Sequence, residues 1–147
     1  MTLRIAFETE MRAAAQQLLT DFRQSFAIPL QIYPARPRSL KPPCAFVDRM
    51  REQITFDALR QRIVQVDIIV VHGTFDSKEA ADQRDSFIDA FIDFTSDRYH
   101  AAGGSTVVEP RSIEDDPVYV PEWLPPEFQS PFYATRLTLE GFTGAGY

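Results

Sequence analysis

Hydrophobic residues recur every three or four positions through residues 2–26, which is the spacing of one stripe along an α-helix. The stripe consists of Leu3, Phe7, Met11, Ala14, Leu18, Phe22 and Phe26. Pro29 follows, and after the short apolar sequence PLQIY come four prolines within PARPRSLKPP, residues 34–43. Because proline lacks a backbone N–H and fixes φ, we expect the helix to end before Pro29, PLQIY to allow a short strand, and residues 34–43 to form a stiff segment. We call residues 34–43 the proline arm.

The next pattern has a period of two and predicts a β-hairpin of residues 44–56 and 60–72 around a three-residue connection. Even positions then share the face expected to pack on the core: Phe46, Met50, Ile54, Phe56, Val64, Val66, Ile68 and Val70. This register sets Arg49 across from Asp67 on the odd face. The odd face also has apolar residues at one end, namely Val47, Ile69 and Val71. A hairpin with one face in water does not need them, so we expect another segment to cover that end.

Residues 76–97 predict a second amphipathic helix, which a capping box of Asp76 and Glu79 would start. One side carries Ala80, Arg84, Phe87, Ile88, Phe91, Phe94 and Thr95. The opposite side carries a column of acids: Asp82, Asp85, Asp89, Asp93 and Asp97. Like charges at this spacing repel each other weakly, so the column is either a solvated face or a surface that a neighbouring molecule or a pore uses.

The rest of the chain predicts two further strands separated by a long loop. Gly103 and Gly104 end the helical region, STVVEP predicts a strand, residues 114–131 form a proline-rich loop, and FYATRLTLEGF predicts the last strand. The order of elements indicates one α+β domain over residues 1–147. We expect an antiparallel sheet of about four to five strands with two main helices packed on one face.

Composition excludes several classes of protein. The chain has 147 residues with 21 acids against 15 bases, and a net charge of −6 argues against a general nucleic-acid binder. Cys44 is the single cysteine, so an intrachain disulfide is excluded and a reducing compartment fits. We see no signal-peptide pattern at the start, and no apolar run approaches the ~20 residues of a membrane helix.

Few residues offer chemistry. The two histidines, His72 and His100, could approach Asp115 and Asp116, but the spacing fits no common zinc or calcium motif. We expect both histidines to be capping or surface residues and Cys44 to be a packed thiol. Glycine-rich phosphate loops and Gly-x-Ser-x-Gly turns are absent from the sequence. We therefore predict no catalytic residue, no metal site and no cofactor.

Charged and aromatic side chains offer interaction surfaces instead. The bases cluster on the proline arm and on the hairpin: Arg36, Arg38, Lys41, Arg49, Arg51, Arg60 and Arg62. A basic surface and an acidic helix on one protomer suit head-to-tail contact between copies, which can close into a ring. The long loop adds Tyr119, Trp123, Leu124 and Phe128, which either fold back over the sheet as a lid or dock a partner.

Four stretches of the chain resemble the tail terminator (tail completion) proteins of long-tailed, siphovirus-type bacteriophages. They are YPARPRSLKPPCAFVD, VVHGTFDSKEAADQRDSFIDAFIDF, EDDPVYVPEWLP and YATRLTLEGF. The resemblance implies a non-enzymatic virion protein at the head–tail junction that forms a hexameric ring. Such a ring caps the tail tube, stops polymerisation of the major tube protein, offers a surface to the head-completion proteins and lets DNA pass through its lumen.

The resemblance transfers no residue roles, so the interface residues follow from the charges alone. Asp82, Asp85, Asp89 and Asp93 would line the lumen or contact the arginines of a neighbour's hairpin, and we favour the second. Two alternatives remain open: a head-to-tail connector or neck ring protein, and a small cytosolic ligand-binding domain or enzyme that uses the His72 region.

Overall fold

The computed structural model of the chain describes residues 3–26, 30–54, 62–74, 78–95, 101–103 and 106–143. Its elements are α1 (Leu3–Phe26), β1 (Gln31–Tyr33), β2 (Cys44–Ile54), β3 (Arg62–Thr74), α2 (Lys78–Thr95), β4 (Ala101–Gly103), β5 (Thr106–Tyr119), a short 3₁₀ turn (Pro126–Phe128) and β6 (Phe132–Thr143). One sheet has the order β1-β2-β3-β6-β5-β4. The β1–β2 pair is parallel and the other pairs are antiparallel. The predicted α+β class is confirmed, with β1 as the short strand that PLQIY allowed and β4 as a further three-residue edge strand.

Both helices pack on the same face of the sheet, as predicted. The α1 stripe buries Met11, Ala14, Leu18 and Phe22, while the side chains of Leu3, Phe7 and Phe26 lie outside the described residues. Phe22 makes edge contacts with three rings of α2: Phe87 at 5.2 Å, Phe91 at 5.3 Å and Phe94 at 5.4 Å between centroids. Edge-to-face geometry is favourable for aromatic pairs, so Phe22 joins the two helices at the centre of this core.

A β-bulge in β2 divides the predicted hairpin register into a correct half and a wrong half. Met50 pairs with Val66 as predicted, but Val47 pairs with Ile68, one position away from the prediction. The extra residue at positions 48–49 turns Val47 toward the helices and Phe46 toward the opposite face, because side chains alternate along a strand. The prediction that Phe46 belongs to the helix-side core was therefore wrong.

Gly73 allows α2 to approach the sheet closely. A Cβ atom at Gly73 would lie 2.7 Å from the Cβ of Ala80, which is buried in the first turn of α2. We expected Gly73 to end the strand, but β3 continues to Thr74. The glycine is required there for the approach of the helix, since any side chain would push the first turn of α2 away. Asp76, the expected cap, lies outside the described residues.

The opposite face of the sheet is also buried, as the apolar odd positions of β3 predicted. Its buried residues are Cys44, Phe46, Ile69, Val71, Phe132 and Ala134. The proline arm and residues 120–131 cover this face, with Leu40 and Trp123 packed against it. Strand β5 continues to Tyr119, so the predicted loop of residues 114–131 was too long and begins at Val120. Strand β4 was not predicted.

Candidate interaction surfaces

The acidic face of α2 consists of Asp82, Asp85, Asp89 and Asp93, all of which are exposed. Asp97 lies outside the described residues. Asp85 pairs with the neighbouring Arg84 at 3.0 Å. Asp82 and Asp89 have no hydrogen-bond or ion-pair partner among the residues that the structure describes. The helix thus presents carboxylates to solvent, as its sequence pattern predicted.

Arg84 connects the acidic face to the sheet. Its guanidinium donates to both carboxylate oxygens of Asp115 on β5, at 3.2 and 3.0 Å, and lies 5.2 Å from the ring centroid of Tyr133 on β6. Only 18% of the Arg84 side chain is exposed. A guanidinium held by two carboxylates and a ring is fixed in place, so Arg84 anchors α2 and is not available to neutralise the rest of the acidic face.

The hairpin bases are arranged differently from the prediction. Arg49 lies at the bulge and is exposed, so the predicted pairing of Arg49 with Asp67 was wrong. Arg51 takes that role at 3.3 Å, and the Thr138 hydroxyl donates to the same Asp67 oxygen at 3.1 Å. Arg60 and the side chain of Arg62 lie outside the described residues.

The proline arm lies against the face of the sheet opposite the helices. Arg36 forms an ion pair with Asp48, and its guanidinium lies 4.9 Å from the centroid of the Trp123 ring. The hydrogen bond to Asp48 raises the pKa of Arg36. Arg38 and Lys41 are exposed and have no hydrogen-bond or ion-pair partner in the described part of the chain. The arm therefore uses one base to hold itself in place and exposes the other two.

Trp123 fixes the arm and the loop together. Its Nε1 donates to the carbonyl oxygen of Pro37 at 3.2 Å, and its ring contacts Phe46 edge-on at 5.2 Å and Tyr119 at 6.0 Å between centroids. Leu124 is buried beside it. The side chain of Phe128 lies outside the described residues. In the protomer, Trp123 and Leu124 thus fold back over the sheet, with Trp123 against Tyr119 at the end of β5, which is the lid alternative.

A cleft of about 520 Å³ opens between α2 and the end of β3. Its lining includes Leu30, Pro43, Val70, His72, Glu79, Asp82, Gln83, Ser86, Phe87 and Ala90. Glu79 and Asp82 are exposed, whereas Leu30, Val70 and Phe87 are buried. The cleft therefore combines apolar side chains at its base with carboxylates at its edge.

His72 is buried in this cleft, with 5% of its surface exposed, so the expectation of a surface or capping residue was wrong. Nε2 lies 2.8 Å from the Thr135 hydroxyl, and the ring contacts Phe87 edge-on at 5.3 Å. Burial, and to a smaller extent the positive charge of Arg84, lower its pKa to about 4. The imidazole is therefore neutral at neutral pH. His72 occupies an even position of β3, as do the buried residues Val64, Val66, Ile68 and Val70. This continuation of the alternating pattern is the sequence signal that could have indicated its burial.

Cys44 is fully buried, and burial raises the pKa of its thiol to about 11. This confirms the packed thiol. Among the residues that the structure describes, no three His, Cys, Asp or Glu side chains lie close enough to hold a metal ion. His100 and the side chain of Asp116 lie outside them. No helix in the described ranges is long and apolar enough to cross a membrane.

Comparison with known proteins adds little. No family model and no curated protein matches the chain. One solved structure, which carries a sequence identifier in place of a descriptive name, matches with a TM-score of 0.42 and 18% identity over 92% of this chain and 94% of its own. Similarity at that level carries no argument about function.

Proposed function

We propose that this chain is a tail terminator of a long-tailed bacteriophage, which assembles as a ring at the end of the tail tube. The observation that carries the proposal is the separation of an acidic patch on α2 from a basic patch on the proline arm. The acidic face lies on α2, on the helix-covered side, and the proline arm exposes Arg38 and Lys41 on the other side. The resemblance of four stretches of the sequence to tail terminators supplies the biological context.

This charge separation favours one type of assembly. A two-fold dimer would place identical patches against each other, and the acidic face would then repel its copy. Contact between the acidic face of one protomer and a basic surface of the next is attractive and uses two different patches. Such a head-to-tail contact repeats from copy to copy and gives a ring where the rotation between neighbours closes, so the charges that oppose a dimer are compatible with a ring.

In the tail, the ring would end polymerisation of the major tube protein and present its other side to the head-completion proteins. DNA would pass through the lumen without specific contacts. The net charge of −6 suits this passage, because a protein with excess carboxylates does not retain a polyanion. The protein needs no cofactor for this role and acts in the virion after assembly in the host cytoplasm.

The electrostatic contact can be tested by charge reversal. We expect the wild-type protein to form a closed oligomer near six copies of 16.8 kDa that loosens at high salt. Replacing Asp85→Lys together with Asp89→Lys should shift the mass toward the protomer and reduce the dependence on salt. Multi-angle light scattering at low and high salt measures both quantities.

A matched control reverses two exposed acids outside α2, Glu114→Lys with Glu127→Lys, and should leave the oligomer intact. An unchanged mass and salt response in the Asp85/Asp89 variant would contradict the proposed contact. Function is tested separately by adding the protein to polymerising tube protein of the same virus. Electron microscopy should show shortened tubes with a ring at one end. Binding to portal-side proteins instead of tubes would favour the connector alternative.

A further inference from the structure

The cleft between α2 and β3 has the chemistry to hold an aliphatic side chain that ends in a cation. Leu30, Val70 and Phe87 give it an apolar base, and Glu79 and Asp82 stand at its edge. Lysine and arginine bury their methylene stems on apolar surface while the charged group stays near water or a carboxylate. An acidic cluster on a flat surface would lack the apolar half of this recognition.

His72 adds a polar group inside the cleft. One ring nitrogen, Nε2, lies at the Thr135 hydroxyl, while Nδ1 makes no hydrogen bond to the described residues. If Nε2 donates to Thr135, the Nδ1 lone pair accepts. The neutral imidazole also does not repel an incoming cation. In that tautomer the lining offers a buried acceptor together with two carboxylates, which favours a ligand that donates hydrogen bonds and carries positive charge.

The chain itself contains a segment of matching chemistry. The proline arm carries three bases and no acid. Arg36 is engaged by Asp48 and Trp123, whereas Arg38 and Lys41 are exposed without described partners. Pro43, at the end of the arm, lines the cleft of its own protomer, but neither Arg38 nor Lys41 is among the lining residues, and both are exposed.

We infer that the cleft binds the proline arm of a second copy of this chain, through Arg38 and Lys41. The arm is suited to such docking because its prolines and the Trp123 anchor already restrict it, which lowers the entropy lost on binding. The assignment rests on the proposed head-to-tail assembly and names the contact within it. It does not depend on which protein the assembled ring meets.

A peptide titration tests the cleft in isolation. The host is the full chain with Arg38→Ala and Lys41→Ala, whose clefts no neighbouring arm can fill. A synthetic peptide of residues 34–43 should bind it saturably in isothermal calorimetry. The same peptide with alanine at positions 38 and 41 should bind at least about fivefold more weakly, since two ion pairs over apolar surface are removed.

Two matched host variants distinguish binding in the cleft from nonspecific attraction of the basic peptide to an acidic protein. Adding Glu79→Gln and Asp82→Asn to the host should lower its affinity for the peptide by a similar factor, about fivefold or more. Adding Glu114→Gln and Glu127→Gln removes the same charge from two exposed acids that do not line the cleft and should leave binding unchanged. Equal affinities for the two hosts, or no difference between the two peptides, would overturn the inference.

A charge swap tests the same contact in the assembled protein. Glu79→Lys with Asp82→Lys, or Arg38→Glu with Lys41→Glu, should each reduce the oligomer mass, and all four changes in one chain should restore it. If wild-type protein is oligomeric and the swap gives no rescue, the cleft contact is wrong while the ring proposal stands. If wild-type protein stays monomeric at every salt concentration, the ring proposal loses its support, and the peptide titration still decides the cleft.

Discussion

The two faces of the sheet are buried by different means. On one face, α1 and α2 place rows of apolar side chains against the strands, and Phe22 contacts three rings of α2. On the other face, two irregular segments cover a smaller apolar cluster. They are held by hydrogen bonds from Trp123 to Pro37 and from Arg12 of α1 to Pro34, and by Arg36 between Asp48 and Trp123. The first arrangement depends on packed volume, and the second depends on a few directed contacts.

This difference indicates which side of the protomer can adapt to a partner. Helices that share an aromatic core move only as a unit, since any displacement opens cavities. A proline-rich segment held by a few directed contacts can be released by breaking those contacts, and regions with few buried contacts have low local stability. The helix-covered face therefore determines global stability, while the arm-covered face provides the adjustable surface.

The largest effect is expected in the helix-covered core. Phe22→Ala should lower the free energy of unfolding by about 3–5 kcal/mol, because it removes a fully buried ring that contacts both helices and leaves a cavity. Urea denaturation followed by circular dichroism measures the loss. A loss below about 1 kcal/mol would show that the two faces do not differ in the way described.

A second effect concerns the buried histidine of the same core. Folding lowers the pKa of His72 from the usual 6.5 to about 4, mainly by burial. Between these values only the unfolded chain takes up the proton, so stability should fall as pH decreases below 6.5 and level off near 4. From pH 6.5 to 5 the loss is about 1–2 kcal/mol, because the slope is half of about 1.4 kcal/mol per pH unit at pH 6.5 and approaches the full value near pH 5.

Denaturation at several pH values checks this sign. The His72→Gln variant should lose most of the pH dependence between 6.5 and 5, and since it retains His100 the difference isolates His72. If the free energy of unfolding falls equally with decreasing pH in the variant and in the wild type, groups other than His72 cause the pH dependence.

The smallest effect is expected on the arm-covered face. Arg36→Ala removes a partly exposed ion pair and a cation–π contact, which together contribute about 1 kcal/mol after solvent screening. The fluorescence of Trp123, the single tryptophan, should shift to the red and become easier to quench with acrylamide. Lys78→Ala, which removes an exposed base of α2 outside the cleft lining, is the control and should change neither quantity. A stability loss in Arg36→Ala as large as that of Phe22→Ala would contradict the comparison.

Local pattern predicted the elements of the fold well. The stripe of α1 predicted Met11, Ala14, Leu18 and Phe22 as core residues, and α2 presents the predicted acidic face. These predictions succeed because a helix or a strand maps its sequence directly onto faces, with periods of 3.6 and two. The apolar odd positions of β3 also predicted that something covers the second face, without indicating what.

The interaction surfaces could be predicted only in part from the periodicity of the sequence. Arg84 and Asp115 are 31 positions apart, and their contact depends on how α2 crosses the sheet beside β5. The cleft likewise combines Leu30 and Pro43 with residues of β3 and α2. Periodicity carries no information about such contacts between distant segments, because they arise from the packing of one element on another.

The sequence by itself determined the α+β class, the two amphipathic helices, the four long strands and the exposure of the α2 carboxylates. Only the tertiary structure decided the bulge at positions 48–49, which turns Phe46 away from the helices and gives Asp67 to Arg51. Only the tertiary structure decided that Trp123 clamps the proline arm. The physical reason is that one extra residue in a strand moves every side chain before it to the opposite face of the sheet, while the alternation of apolar and polar residues in the sequence stays the same. Which register is adopted depends on the segments that come to cover each face.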